Sequence, residues 1–173
     1  MKNIFQALAK YNGSVNQSII ELLKPLDKEK IMMKTKAYYP SIFETLIHNL
    51  FADLNWLKRY GGVFKESKAL SHRIVSLDQK VLRQEFEADY TKLFQYRKET
   101  DEVMIQFVNE LDETRLNSVI KYKNYKGEDQ EQVCWKPLLH WFNHHTHHRG
   151  QISVLLDMVG VDNDYSGMLT RIE

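Results

Sequence analysis

The run His140-Trp141-Phe142-Asn143-His144-His145-Thr146-His147-His148-Arg149-Gly150-Gln151 holds five of the chain's seven histidines. A core does not call for so many imidazoles, and a solvated face is normally built from Lys and Glu. Neutral imidazole is the commonest protein metal ligand, so the run points to a transition-metal site carried on a helix. Taking His140 as zero, His144 lies at about 40°, His148 at about 80°, His147 at about −20° and Gln151 at about 20° on a helix that turns about 100° per residue. His145, at about 140°, points off this arc, and its replacement is expected to matter little.

Histidines four apart on one helix face can share a metal, as in the helical zinc motif H-E-x-x-H. Here the pair is His140/His144 or His144/His148. The interval His145-Thr146-His147 contains no Glu, so no general base is supplied locally and a metalloprotease is excluded. A catalytic zinc takes three protein ligands and keeps one open position, so a third ligand must come from elsewhere. His48 and His72 remain. His48 falls in a strongly helical segment and His72 in an irregular one, and a rigid element favours His48. The competing reading of the run is a hydrogen-bonded polar seam.

Length and composition narrow the class. The 173 residues suit one domain, residues 1–173, with a full-sized core. A net charge of +1, with no cluster of Lys and Arg, excludes bulk attraction to nucleic acid. The lone Cys134 cannot form an intrachain disulfide and fits a reducing compartment. No apolar run approaches the roughly 20 residues that span a bilayer, and Met1-Lys2-Asn3-Ile4-Phe5 does not open a signal peptide. A cytoplasmic protein without membrane contact is expected.

Only three prolines interrupt long runs at helical period, so the chain reads as all-α. Residues 3–24 form a first helix with the stripe Ile4, Leu8, Tyr11, Val15, Ile19, Leu22 and Leu23, ended by Pro25. A second helix opens on the capping box Ser41-Ile42-Phe43-Glu44 and stops at Gly61-Gly62 after Tyr60. Its main stripe is Phe43, Ile47, Leu50 and Leu54. His48, Ala52 and Trp56 lie nearly opposite, so the inward direction of His48 stays open. A third helix spans about 79–111, with a kink expected in the polar stretch Gln95 to Asp101. A short β-hairpin is expected near 119–133, with its turn in Tyr122–Glu128. The histidine helix runs from about 135 to 159, with Pro137 in its first turn and Gly160 beyond its end. The tail docks as an irregular segment. Four main helices with long connections make a four-helix bundle.

His140-Trp-Phe-Asn-His-His-Thr-His-His-Arg-Gly-Gln-Ile152, with Tyr11-Asn12, His48 followed by Trp56, and the Tyr122–Glu128 turn, resembles the signature of the DinB/YfiT-like family of metal-binding four-helix bundles. Ser14 departs from it, standing where the family often has an aromatic. The resemblance implies His48, His144 and His148 as metal ligands, a divalent metal that is commonly zinc or nickel, and a homodimer. The two apolar faces of the second helix also suit self-association. His140, His147, Gln151 and Arg149 then become candidates to support the ligands from behind or to line the pocket. Gln151 is placed to fix the tautomer of a ligand imidazole, and Arg149 to bind a carboxylate at a helix or dimer interface, or a substrate.

Relatives of this kind include transferases that use a low-molecular-weight thiol and enzymes that hydrolyse or isomerise small molecules. A metal-dependent enzyme acting on a small molecule is therefore expected, with a metal-bound water or thiolate as nucleophile and no catalytic side chain assigned. The alternative is a non-catalytic, stress-linked metal-binding or interaction protein. A fourth protein ligand, from His140 or His147, would favour that alternative, because structural zinc sites close all four positions.

Overall fold

The computed structural model describes residues 1–172. Helix α1 (Lys2–Leu23) is followed by a short α2 (Lys28–Met32) and by α3 (Ile42–Val63). Two 3-10 turns, Ala69–Ser71 and Arg73–Ser76, lead into α4 (Gln79–Ala88), α5 (Thr91–Glu110) and a short α6 (Glu113–Asn117). Strands β1 (Val119–Lys123) and β2 (Asp129–Val133) precede α7 (Trp135–Met158). Helices α1 and α3 each pack on both α5 and α7, which makes the four-helix bundle. The core runs unbroken from Phe5 and Ile19 through Leu50, Leu57, Tyr60 and Phe107 to Trp141 and Leu156.

Four local expectations are corrected. The inward stripe of α1 is Phe5, Ala9, Asn12, Val15, Asn16 and Ile19, with Ile4 exposed at 63%. The helix is turned so that two asparagines face inward, where Asn16 Nδ2 donates to Asp101 Oδ1 at 2.9 Å. Half of the capping box forms: Ser41 Oγ accepts from Glu44 N at 3.2 Å, whereas the Glu44 carboxylate turns to Arg83 and takes two hydrogen bonds of 2.7 Å.

Gly61 and Gly62 do not end α3. Neither adopts a positive φ, and the two 3-10 turns pack on this end of the helix. Packing there outweighs the roughly 1 kcal/mol helix penalty of each glycine. The expected third helix is two helices, parted at Asp89 and not at 95–101. Asp89 is extended (φ −145°, ψ 98°), and its Oδ1 accepts from the Thr91 amide at 3.0 Å. The polar stretch continues as regular helix because it looks into a buried polar network.

The hairpin pairs Val119 with Val133 and Lys123 with Asp129 in antiparallel register, and Gly127 supplies the positive φ (81°) that its turn requires. It packs against α3, with Tyr122 edge-on to Trp56 at 5.5 Å. The second apolar face of α3 is thus covered from within the chain, which removes the argument for self-association drawn from that face. Among the described residues no helix is long and apolar enough to cross a membrane.

Candidate metal centre

α3 and α7 bring His48, His144 and His148 together, with one ring nitrogen of each within 4.8 Å of the others. His48 Nε2 lies 3.0 Å from His144 Nε2, and His148 Nε2 lies 3.1 Å from it. The i, i+4 spacing on α7 sets the last two rings edge-on to one another, with centroids 4.3 Å apart. His48 arrives from the face of α3 that also carries Ala52 and Trp56.

His148 Nδ1–H donates to Gln151 Oε1 at 2.6 Å, while the Gln151 amide nitrogen reaches His147 Nε2 at 3.2 Å. His148 therefore presents a lone pair on Nε2. Any proton on His144 Nε2 would have to serve two neighbours at once. With that proton on Nδ1, the His144 and His148 Nε2 lone pairs face each other beside His48 Nε2, and the buried His144 Nδ1 has no partner of its own. A cation among the three nitrogens meets all the lone pairs. Nitrogens about 2.1 Å from a shared ion stand about 3.4 Å apart at a tetrahedral angle and about 3.0 Å at a right angle. The observed separations fall at the lower end of that range. The three residues can hold a metal ion.

The electrostatics keep the rings in their ligating, neutral form. Burial, reinforced by His148, brings His48 down to about 4. Burial with neighbouring imidazoles brings His144 down to about 3. His148 is lowered by burial as well, against the opposing hydrogen bond to Gln151. Tyr39, from the loop before α3, stacks on His48 at 4.1 Å and meets the edge of His148 at 5.4 Å, so one side of the cluster is covered. On another side a cavity of about 730 Å³ is bounded by His48 and His144.

The other candidates lie around this centre. His140 is exposed, with its ring 5.9 Å from that of Trp56 on the wall of the same cavity. His147 is exposed and lines a second cavity of about 510 Å³ beside Tyr39 and Gln151. Among the described residues neither joins the three-histidine group, nor does any carboxylate or thiol. Arg149 lines neither cavity and, among the described residues, binds no carboxylate. It is buried under Tyr11, its Nη1 donating to Asn12 Oδ1 at 2.5 Å and its Nη2 to Thr146 Oγ1 at 3.0 Å. The inward turn of α1 offers it that amide oxygen where a carboxylate across a helix was one expectation.

His145 was expected to be dispensable because it lies off the arc. It does face away from the three rings, yet it is fully buried and its Nε2 donates to Asp53 Oδ1 at 2.6 Å. The same oxygen accepts from Trp141 Nε1 at 2.6 Å, and Asp53 Oδ2 accepts from Arg97. Arg97 also grips Asp101 through Nη2 at 2.7 Å and Nε at 3.2 Å. With Asn12 and Asn16, this network joins all four bundle helices directly beneath the triad. Burial works to raise Asp53, but Arg97, His145 and Trp141 outweigh it and hold the carboxyl well below the usual range.

Sequence reasoning passed over Asp53, Arg97, Asp101 and Tyr39. The visible signals were a carboxylate inside the apolar run Leu50-Phe51-Ala52-Asp53-Leu54 and an Arg–Asp pair four apart. Nothing in the sequence marks Tyr39.

A bundle with three imidazoles converging from two of its helices defines a helical protein built around a potential metal site. The chain belongs to the DinB family, whose sequence model matches residues 1–166. It is 29% identical over 154 residues to Protein DinB of Bacillus subtilis (strain 168), an alignment covering 88% of this chain and 84% of that protein.

Proposed function

We propose that this protein is a metal-dependent enzyme in which His48, His144 and His148 hold a zinc or nickel ion beside a small-molecule cavity. The observation that carries this reading is a set of three protein nitrogens with no fourth protein ligand among the described residues, two of them, on His48 and His144, bounding a cavity of about 730 Å³. Imidazole donors suit both zinc and nickel. A divalent ion bound there supplies Lewis acidity, lowering the pKa of a coordinated water or thiol so that an anionic nucleophile exists at neutral pH.

The chain's own residues prepare for this chemistry. Gln151 fixes the His148 tautomer, burial keeps all three rings neutral, Tyr39 excludes water from one side, and the Asp53 network sets the register of α3 against α7. Among the described residues no Asp or Glu joins the triad or lines the cavity beside it, which supports a reaction whose nucleophile the metal activates. The reaction classes that fit are transfer to or from a low-molecular-weight thiol, and hydrolysis or isomerisation of a small molecule. A homodimer belongs to the same reading through the family likeness, and sedimentation equilibrium tests it.

The experiment has two stages. Metal analysis of the untagged chain is expected to give one zinc or nickel per chain. The loaded protein is then assayed for S-transfer with bacillithiol, mycothiol, glutathione and coenzyme A, and for hydrolysis of small esters and amides. A metal-free chain, or a loaded chain inert throughout, counts against the enzyme. The second outcome favours the non-catalytic alternative, in which the ion only cross-links α3 and α7.

A further inference from the structure

The cavity that opens on His48 and His144 is also bounded by Arg59 and Lys136, and among the described residues no Asp or Glu lines it. Among the described residues Arg59 is the one arginine of seven whose terminal guanidinium nitrogens have no protein acceptor. Arg73, Arg83, Arg97 and Arg115 each pair with a carboxylate. Arg149 and Arg171 are taken up by side-chain oxygens of Asn12, Thr146, Ser14 and Ser18. Arg59 uses only Nε, which donates to the Lys123 carbonyl at 3.1 Å.

That single bond and the neighbouring rings hold the guanidinium in place. Its Cζ sits 4.6 Å from the Trp56 ring centroid and 5.8 Å from that of Tyr122. Burial works against its charge, and Tyr122, not a carboxylate, is the group that opposes this. Lys136 likewise has no acidic partner among the described residues. Two cations bounding one cavity, with no Asp or Glu among its described lining residues, form a receptor that lacks its counter-charge.

We infer that Arg59, with Lys136, anchors the carboxylate of a small organic substrate in this cavity. The planar guanidinium, already held on aromatic faces, offers the parallel N–H pair that a carboxylate accepts. From His48 to Arg59 the helix advances about 16 Å, and the arginine side chain leans back toward His48 along the helix. The gap between the anchor and the triad is on the order of 10 Å, which suits a molecule of dipeptide size whose reactive end meets the histidines. This assignment rests on the reading of the triad as the reactive centre, but its charge logic is local to Arg59.

Succinate titrated into the full-length protein, followed by NMR at the Trp56 indole and Arg59 Nε–H resonances, tests the assignment. Both zinc-loaded and zinc-free protein are used. Saturable shifts are expected in both, with affinity falling about tenfold or more in Arg59→Gln and less in Lys136→Gln. Uncharged dimethyl succinate is expected to leave the resonances unmoved. Wild-type affinity in Arg59→Gln, equal binding of the diester, or no saturable shift overturns the assignment. Should Arg59→Gln loosen the hairpin through its lost Lys123 contact, Lys136→Gln decides, because Lys136 makes no such bond. A chain that takes up no zinc yet binds succinate through Arg59 refutes the metal reading alone.

Discussion

Asp53 Oδ1 accepts the His145 Nε2 proton at 2.6 Å, with both side chains almost wholly out of water. Asp53 lies five residues along α3 from His48, and His145 adjoins His144 on α7, so the bond ties together the two helices that carry the triad. His145→Ala removes a buried ring and leaves Asp53 one donor short. A loss of about 3 kcal/mol is expected from the cavity and the orphaned acceptor. Asp53→Ala strands the buried Arg97 on Asp101 alone and is expected to cost about 3–5 kcal/mol. Urea midpoints measure both, and a change below about 1 kcal/mol in either variant would show that the network does not hold the bundle.

The same carboxylate sets an acid limit on stability. The facing Arg97, His145 and Trp141 overcome burial and hold Asp53 below its unfolded value. A carboxyl lowered on folding stabilises the native state above the unfolded pKa of about 3.9, and that contribution fades as pH falls further toward the folded value. Wild-type stability is therefore expected to drop as pH goes below about 4. Asp53→Asn, though weaker at neutral pH, should lose less between about pH 5 and pH 3. Parallel acid limbs in denaturant titrations of the two proteins would mean that other carboxyls set the limit.

These relationships also show where sequence pattern runs out. The histidine arc on α7 could be drawn from spacing because one helix fixes its own phase, and it set His144 and His148 side by side. The direction of His48 could not be drawn the same way, since α3 is apolar on two faces and only the hairpin and cavity distinguish them. The break at Asp89 was hidden because Leu82, Phe86, Leu93 and Phe107 keep near-heptad steps across it. Arg97 and Asp101 look like a solvated stretch in sequence, and their burial depends on partners in two other helices, Asp53 on α3 and Asn12 and Asn16 on α1. Gly61 and Gly62 look like a stop, but tertiary packing carries the helix through them.

Metal should couple to stability through the three histidines alone. A ligand that binds only the folded chain adds about 4 kcal/mol at 1,000 times its dissociation constant, so zinc is expected to raise the wild-type melting temperature by several degrees. His48→Ala, His144→Ala and His148→Ala should each retain the helical far-UV signal while losing both the bound ion and that shift. His140→Ala should keep both, because its exposed ring lies outside the converging group. A full zinc complement in any of the first three variants would remove that residue from the ligand set.

Gln151 tests whether orientation of a single imidazole matters. Its Oε1 accepts from His148 Nδ1 at 2.6 Å, and by holding that proton it turns the Nε2 lone pair toward His144. Gln151→Leu keeps the bulk and removes the acceptor, so His148 is free to rotate or change tautomer. Zinc affinity, measured by competition with a chromophoric chelator, is expected to fall about 10- to 100-fold. Stoichiometry should stay at one ion per chain, because all three ligands remain. Gln151→Glu restores an acceptor, now charged, and makes the imidazole a stronger donor to the ion, so its affinity should equal or exceed that of the wild type. Affinity must fall in Gln151→Leu and hold or rise in Gln151→Glu for the hydrogen bond to be the cause; a fall of similar size in both would mean that Gln151 acts only by packing beside His147.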